Sequence, residues 1–342
     1  MRICAWPAFK LRDRNPYTSL LYSHMRGAEV DEFAPSLLLR EKYSIWHIHW
    51  PESFLHSPSL SQGLGKTCGL LGLMDLAHRR GVKIVWTVHN LASHEQLHPT
   101  VERWFWKQFT KRLDGYTSLS KAGMQAAQDR HPQLRDLFGT VIPHGHYKEE
   151  YPVGPNDLRQ QLGIPQHARV LLFFGAIRDY KNIPGLMKAF QEWQQQDAVL
   201  IVAGYCRDAR LETAVRKQAE KIPNLHLEIR YIPKDSVYRY FSASDLVVLP
   251  YREILNSGTA LLALTFGKPV LVPRKGAMAE LQNNVGNTWI FTYPDVLQAD
   301  TLASAMEWAR NTQRPSAPPI DSLCWDRIAA ATLNAYEAIL AA

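Results

Sequence analysis

The stretch from Ser244 to Pro273 contains a strand, a loop, a helix and a second strand, and this order constrains the fold more than any other feature. A buried apolar strand at Leu246–Leu249 leads into a polar loop, and Asn256-Ser257-Gly258-Thr259 opens a helix of small and apolar residues. A second apolar strand follows at Pro269–Val272. Two strands joined by a helical crossover are typical of a parallel sheet covered by helices.

The alternation of strands and helices continues over the whole chain of 342 residues. Such alternation predicts a mostly parallel sheet with helices on both faces. The predicted strands are Ile3–Trp6, Ile45–His49, Lys83–His89, Gly115–Leu119, Thr140–Pro143, Val170–Phe174, Ala198–Ala203, Leu225–Ile229, Leu246–Pro250, Pro269–Val272 and Trp289–Phe291. The predicted helices include Lys66–Arg80, Val101–Leu113, Pro184–Gln195, Arg210–Lys221, Lys234–Ser242 and Thr259–Phe266.

The length indicates two domains, because a single hydrophobic core stops growing below this size. We predict an N-terminal Rossmann-like domain over residues 1–147 and a C-terminal one over residues 164–322. Residues 148–163 contain Pro and Gly and are predicted as a linker, and the helix within 323–342 is expected to cross back to the first domain. The predicted fold class is α/β, with two doubly wound sheets that bind ligand at the carboxyl ends of their strands.

The positive charge is concentrated in the first part of the chain. Residues 1–147 carry 18 Lys and Arg against 12 Asp and Glu, whereas the remaining residues carry 21 against 20. The first part is therefore expected to meet an acidic partner, and phosphates, a lipid surface and nucleic acid all fit that charge. Nucleic acid is disfavoured because the sequence has no recognisable reader motif.

The cysteines and the hydropathy pattern indicate the compartment. The four cysteines lie far apart and form no C-x-x-C pair, which argues against a disulfide framework or a zinc site. The sequence has neither a charged-then-apolar leader nor an apolar run near the ~18 residues that a membrane span needs. We expect a cytoplasmic protein, bound to the inner face of the cell membrane if its substrate is a lipid.

Two segments of the predicted C-terminal domain favour an anionic ligand. The helix that starts near Ser257 presents free backbone N–H groups and a positive helix end, which suits a diphosphate. Arg178 and Lys181 follow the predicted strand Val170–Phe174 and would neutralise a diphosphate leaving group. The alternative is a solvated loop in which Arg178 pairs with Asp179.

Histidines follow two predicted strands of the N-terminal domain. His89 ends one strand, and Glu95 lies six residues later; an imidazole or a carboxylate there would serve as a general base. The alternative for Glu95 is a helix cap. His47 and His49 are expected on opposite faces of another strand, so that at most one of them, His49, reaches the ligand.

Two further segments have both a functional and a structural interpretation. His146 lies near the predicted hinge and is a candidate phosphate contact. The run Trp104–Arg112 interleaves aromatic residues with cations, which fits a helix lying on an anionic bilayer. The alternative is that these aromatic residues form part of the core.

These motifs, in this order, resemble those of the GT-B glycosyltransferases, and among them the xanthan-pathway β-mannosyltransferases of bacterial exopolysaccharide synthesis. The resemblance spans most of the chain. The matching segments are Asn15-Pro16-Tyr17, His47 to Glu52, Thr87 to Leu91, His94-Glu95, His144 to Tyr147, Phe174 to Arg178, Tyr180-Lys181, Val248 to Tyr251 and Asn256 to Thr259.

The resemblance implies two Rossmann-like domains facing across a cleft, with a nucleotide diphosphate sugar as donor and no metal or other cofactor. Its donor site would comprise Arg178, Lys181 and the Asn256–Thr259 segment at the diphosphate, with Tyr231 and Ile232 near the base. On the acceptor side the implied residues are Arg12, Arg14, Asn15 and His49, with a lipid-diphosphate-linked saccharide as acceptor.

One departure from the larger GT-B group concerns stereochemistry. Many retaining members carry two Glu residues separated by seven others, but here Glu253 is followed at that spacing by Leu261. The missing pair favours inversion, for which Glu95 and then His89 are the candidate bases, with Asp13 behind them. The resemblance thus predicts an inverting, metal-independent transferase that uses GDP-mannose.

Two alternatives stay open at this point. The first is a transferase of the same fold that uses UDP-glucose or UDP-glucuronate. The second is a nucleotide-sugar epimerase or hydrolase, which would share the phosphate loops without needing an acceptor.

Overall fold

The computed structural model describes residues 1–55, 59–92, 98–148 and 150–342. The chain divides into two compact units. The first unit comprises Met1–Gly145 together with Leu323–Ala342, and the second comprises His146–Ser322. Residues 148–163 thus belong to the second unit, and the C-terminal segment belongs to the first.

The first unit is built on a six-stranded parallel sheet in the order β2-β1-β3-β4-β5-β6. Its strands are β1 (Arg2–Trp6), β2 (Glu29–Glu32), β3 (Ile45–Ile48), β4 (Lys83–Val88), β5 (Gly115–Ser118) and β6 (Phe138–Val141). Its helices are α1 (Tyr17–Ser23), α2 (Pro35–Arg40), α3 (Leu60–Arg79), α4 (Pro99–Thr110), α5 (Lys121–Arg130) and, at the end of the chain, α13 (Trp325–Ala341).

The second unit has a six-stranded parallel sheet in the order β12-β11-β10-β7-β8-β9. Its strands are β7 (Arg169–Phe174), β8 (Ala198–Ala203), β9 (Leu225–Glu228), β10 (Leu246–Val248), β11 (Val270–Pro273) and β12 (Ile290–Tyr293). Its helices are α6 (Leu158–Gln161), α7 (Ile183–Trp193), α8 (Ala209–Ala219), α9 (Val237–Ala243), α10 (Gly258–Thr265), α11 (Ala277–Val285) and α12 (Ala299–Asn311).

The predicted fold class is confirmed, and each of the eleven predicted strands is present within a few residues of its expected bounds. The sequence did not predict β2, whose residues are Glu-Val-Asp-Glu. This strand lies at an edge and pairs only with β1, so it has no apolar run. Charged residues are common on edge strands because they discourage pairing with other chains.

The C-terminal helix α13 completes the core of the first unit. Trp325, Ile328, Tyr336 and Ile339 are buried against residues of β1, α1 and β3. Small residues of the first unit allow this close approach, since a Cβ atom at Gly145 would lie 2.4 Å from the Trp325 ring. The last residues of the chain thus pack with its first strand.

The aromatic run on α4 is mainly a core segment. Phe105, Trp106 and Phe109 are buried, which supports the core interpretation for these three residues, whereas Trp104 is 40% exposed. In the described ranges, no helix is both long enough and apolar enough to cross a bilayer.

Replacement of Gly145 by Ala tests the packing of α13. The added methyl group must displace the Trp325 ring, so we expect a loss of about 1–3 kcal/mol in the free energy of unfolding of the first unit. Denaturant titration followed by tryptophan fluorescence measures this change. Gly154→Ala is the control, because its Cβ would lie an ordinary 3.6 Å from the nearest atom. Equal stability of the two variants would contradict the packing.

Candidate functional site

The strand order reverses once in each sheet. In the second unit β7 lies between β8 and β10. The next strand, β9, is added on the side of β8, and β11 and β12 are added on the side of β10. In the first unit β1 lies between β2 and β3 in the same way. Loops that follow the two strands of a reversal diverge and leave a crevice at the carboxyl edge, where ligands of doubly wound sheets bind.

The loop after β7 is held close to the loop after β8. The Gly175 N–H donates to the Ala203 carbonyl at 3.0 Å, and the Ile177 N–H donates to the Tyr205 carbonyl at 2.8 Å. Gly175 has a φ of +120°, which favours glycine. A Cβ atom there would lie 3.4 Å from both Lys181 Nζ and Thr259 Oγ1. The Lys181 ammonium and the Thr259 hydroxyl therefore both border the space next to Gly175, where the backbone has no side chain.

Lys181 is buried with only 8% of its surface exposed. Its Nζ lies 5.2 Å from the centre of the Tyr251 ring and 5.8 Å from that of Phe173. Within the described part of the chain it forms no ion pair. Burial is the main cause that lowers its pKa, and the nearby Arg178 lowers it further. An anion placed at this point would supply the missing countercharge.

The start of α10 supplies the neutral donors. Ser257 caps the helix by accepting a hydrogen bond from the Ala260 N–H at 3.2 Å. The first turn leaves the N–H groups of Gly258 and Thr259 without acceptors inside the helix. The buried Tyr251 hydroxyl hydrogen-bonds with the Ser257 and Thr259 side chains, and burial raises its pKa to about 12.

Two neighbouring side chains bear on the sequence predictions. Arg178 is exposed and does not pair with Asp179, because Asp179 pairs with Arg252 at 3.2 Å; the solvated-pair alternative is therefore wrong. Both polar atoms of the Asn256 amide are buried and have no hydrogen-bond partner among the residues that the structure describes. A buried amide of this kind has unused hydrogen-bonding capacity next to the Ser257 cap.

The remaining candidates of the second unit lie in other loops. Tyr231 is half exposed and Ile232 is buried, and both follow β9 at the same carboxyl edge. His146 begins the second unit, is buried, and accepts a hydrogen bond at Nδ1 from the Lys148 N–H at 3.3 Å. Their roles in binding stay predictions.

The first unit contains a buried histidine cluster. His49 Nδ1 lies 3.0 Å from His89 Nε2, and His49 Nε2 lies 2.6 Å from the Tyr22 hydroxyl. The same Tyr22 hydroxyl lies 2.9 Å from His47 Nδ1. Burial lowers the pKa of His47 to about 3 and holds the pKa values of His49 and His89 well below the ordinary 6.5. The three rings are therefore neutral at pH 7.

The expectation that His47 and His49 lie on opposite faces is wrong. Their ring centres are 4.2 Å apart and both contact Tyr22. Side chains two positions apart along a strand point to the same face, so both histidines belong to one cluster.

The loop after β1 carries the predicted acceptor residues. Arg12 and Arg14 are exposed and form no ion pair in the described ranges. The Glu32 carboxylate anchors this loop by accepting hydrogen bonds from three consecutive backbone N–H groups, those of Ala8, Phe9 and Lys10. Asn15 Oδ1 accepts from the Tyr17 N–H at 3.2 Å, which orients the start of α1. Glu95, the first candidate base, lies outside the described residues.

The sequence did not single out Tyr251, Tyr22 or Tyr336. Tyr251 could have been found, because it directly follows the Pro250 that ends the strand of the opening motif. Tyr22 and Tyr336 lie on helices outside the quoted motifs, and only the tertiary structure brings them to the histidines. Within the described ranges, no group of three or more His, Cys, Asp or Glu side chains is arranged to hold a metal ion.

Comparison with known proteins defines the class. The family model described as glycosyl transferases group 1 matches residues 156–316. The GDP-mannose:glycolipid 4-beta-D-mannosyltransferase of Xanthomonas campestris pv. campestris is 31% identical over 319 residues, which cover 92% of this chain and 85% of that protein. The lipopolysaccharide 1,2-N-acetylglucosaminetransferase of Salmonella typhimurium is 30% identical over 41% of this chain and 40% of its own length.

Solved structures share the fold over nearly the whole chain. HepE from Anabaena, determined with UDP-glucose, superposes with a TM-score of 0.68 at 15% identity, covering 99% of this chain and 98% of that one. Sucrose-phosphate synthase from Thermosynechococcus elongatus superposes with a TM-score of 0.65 at 16% identity, covering 100% and 96%. Fold and sequence together define a glycosyltransferase of the GT-B class. The chain belongs to the group 1 glycosyltransferase family, and the expected family resemblance is confirmed.

Lys181→Met tests the anion site. The variant removes a buried, unpaired charge, so we expect unchanged or higher stability without ligand. Loss of a charge-assisted hydrogen bond, about 1.5–3 kcal/mol, predicts roughly 10- to 100-fold weaker binding of GDP or UDP, whichever the protein binds. Calorimetric titration and thermal unfolding measure the two effects. Lys188→Met, an exposed change on α7, the helix that follows Lys181, is the control. Wild-type affinity in Lys181→Met would rule out the site.

The buried histidines predict acid sensitivity of the first unit. Burial lowers the pKa of His131 to about 4, against about 6.5 in the unfolded chain. Between pH 6.5 and 4 the unfolded state therefore binds a proton at this histidine and the folded state does not. The free energy of unfolding decreases as the pH falls through this range. Each histidine with such a pKa lowers the free energy of unfolding by up to about 1.4 kcal/mol at pH 5.5.

Between pH 7 and 5.5 the free energy of unfolding should fall by about 1 kcal/mol less in His131→Gln than in the wild-type protein. Tryptophan fluorescence during denaturant titration reports on the first unit, which holds seven of the ten tryptophans. The exposed His167→Gln is the control and should keep the wild-type pH dependence. An unchanged slope in His131→Gln would show that its pKa is not lowered by burial.

Proposed function

We propose that this glycosyltransferase transfers mannose from GDP-mannose to a glycolipid, with inversion at the anomeric carbon and without a metal ion. The observation that carries the proposal is the buried Lys181 ammonium, which lies beside the start of α10 and has no ion-pair partner in the described part of the chain. The printed activity of the Xanthomonas relative, which is similar over 92% of this chain, supports the choice of donor and acceptor.

The donor diphosphate fits the charges of the second unit. Lys181 and the N–H groups of Gly258 and Thr259 would hold the diphosphate, and the exposed Arg178 would close on it from solvent. As the bond between sugar and diphosphate breaks, negative charge grows on the leaving oxygen. A fixed ammonium in a site of low dielectric stabilises that charge more than water does. This is the task for which many transferases use a divalent cation.

The proposal of inversion rests on the product and on the sequence. The sugar of GDP-mannose is joined through an α bond, and the relative is named for a β-linked product. A single displacement from the opposite side of the ring converts one configuration into the other. The absence of the Glu pair of many retaining enzymes, with Leu261 after Glu253, agrees with this course.

A single displacement needs a base for the acceptor hydroxyl. His89 and Glu95 both follow β4, and they are the candidates we propose. His89 has a suitable environment, because its Nε2 is bound to His49 while its Nδ1 has no partner in the described part of the chain. Its lowered pKa keeps the ring neutral at pH 7, with a lone pair ready to accept the proton.

The proposed acceptor side is the basic first unit. Arg12 and Arg14 present two exposed guanidinium groups next to the exposed Phe9 and Leu11. Guanidinium forks suit phosphate oxygens, and the apolar side chains suit the lipid next to them. We propose that this loop meets a lipid-diphosphate acceptor at an anionic membrane surface.

The proposal is tested by incubating the purified full chain with labelled GDP-mannose and a polyprenyl-diphosphate-linked oligosaccharide. We expect labelled glycolipid from GDP-mannose, release of the label by a β-mannosidase, and the same rate in the presence of EDTA. UDP-glucose and UDP-glucuronate are the matched donors and should give no product. Transfer from a UDP-sugar alone, an α-linked product, or loss of activity in EDTA would each contradict one part of the proposal.

A further inference from the structure

The histidine cluster of the first unit is part of a longer hydrogen-bonded chain. From His89 the contacts run through His49 to the Tyr22 hydroxyl, which lies 2.9 Å from His47 Nδ1. The Tyr336 hydroxyl lies 2.5 Å from His47 Nδ1. His47 Nε2 lies 2.7 Å from Thr87 Oγ1, which lies 2.8 Å from Thr117 Oγ1.

Every member of this chain except His89 is almost completely buried. His47, His49 and Tyr336 have no exposed surface, and Tyr22 is 4% exposed. The members come from three neighbouring strands, β3, β4 and β5, and from the helices α1 and α13 that cover this face. Water therefore does not supply the donors and acceptors, and the side chains must satisfy one another.

The protonation states leave two arrangements. Burial keeps the three imidazoles neutral, so each ring has one N–H and one lone pair. Each hydroxyl has one proton to donate. Along the path from His89 through His49, Tyr22, His47 and Thr87 to Thr117, each group can donate once and accept once, so all donors point from His89 toward Thr117 or all point the opposite way. The Tyr336 hydroxyl joins this path as a branch at His47 Nδ1.

The two directions give His89 different chemistry. When the donors point inward, His89 Nε2–H donates to His49, and Nδ1 keeps its lone pair. When they point outward, Nε2 accepts from His49 and the proton sits on Nδ1. Because Nδ1 is the nitrogen without a partner in the described residues, only the inward direction leaves it free to accept a proton.

We infer that His49, Tyr22, Tyr336, His47 and Thr87 are positioning residues that hold His89 as the Nε2–H tautomer, with its Nδ1 lone pair available to the acceptor hydroxyl. The choice of direction rests on the proposed function, which needs a base. The C-terminal helix thus contributes to the reacting group through Tyr336, although this residue lies 289 positions from His47.

The tautomer is tested without substrate by nitrogen NMR of the full chain with ¹⁵N-labelled histidine. His89→Gln assigns the His89 signals by their loss. We expect the long-range spectrum to show a protonated Nε2 and an unprotonated Nδ1. A protonated Nδ1 in the wild-type protein would overturn the inference. If the tautomer is as expected but no mannose is transferred from GDP-mannose, the proposed function fails and the tautomer assignment stands.

Variants test whether the distant groups set this state. Tyr22→Phe and Thr87→Val interrupt the chain while nearly preserving shape, and we expect each to mix the two His89 tautomers and to lower kcat at least tenfold with little change in the KM for GDP-mannose. Thr87→Ser keeps the hydroxyl and should restore both properties. Tyr116→Phe removes another buried hydroxyl of the same unit, one that contacts Gln128, and should change neither. Wild-type tautomer and kcat in Tyr22→Phe and Thr87→Val would overturn the inference.

Discussion

Parallel pairing of every strand is the constraint on which the rest of the structure depends. Because each strand must return to the same starting edge, every loop that follows a strand lies at the opposite, carboxyl edge of its sheet. The single reversal of strand order in each sheet then selects which loops border a crevice. In the second unit these are the loops after β7 and β10, which carry Lys181 and Ser257. In the first unit they are the loops after β1 and β3, which carry Arg12 and His49.

Both units bury polar groups that do not favour folding. Among the described residues, Lys181 contacts aromatic rings but no countercharge, and the Asn256 amide has no hydrogen-bond partner; three neutral histidines lie together in the first unit. Burial of such groups costs free energy that apolar side chains of similar size would not. Large apolar cores, including the packing of α13, offset this cost. The polar groups at the carboxyl edges therefore do not serve stability, which agrees with the ligand binding and chemistry that we propose for them.

The fold was largely predictable because its strands are buried on both faces. Strands such as Val170–Phe174 and Ala198–Ala203 are continuous apolar runs, and their position does not depend on distant residues. The edge strand β2 lacks such a run, and nothing local distinguishes Glu29–Glu32 from a loop. The start of α10 was equally predictable, because a helix start after a strand has a local signature in Ser257. The histidine faces were misjudged, although strand periodicity alone places His47 and His49 together.

The sequence by itself determined the two parallel sheets, the loops at their carboxyl edges and the family to which the chain belongs. It did so because apolar runs, helix caps and strand ends are local features, and because the ordered motifs carry the family resemblance. Only the tertiary structure decided what surrounds those motifs. It set Lys181 beside Thr259 and Tyr251, paired Asp179 with Arg252, and brought Tyr22 and Tyr336 to the histidines. These contacts join residues tens to hundreds of positions apart, and the packing that creates them has no local signature.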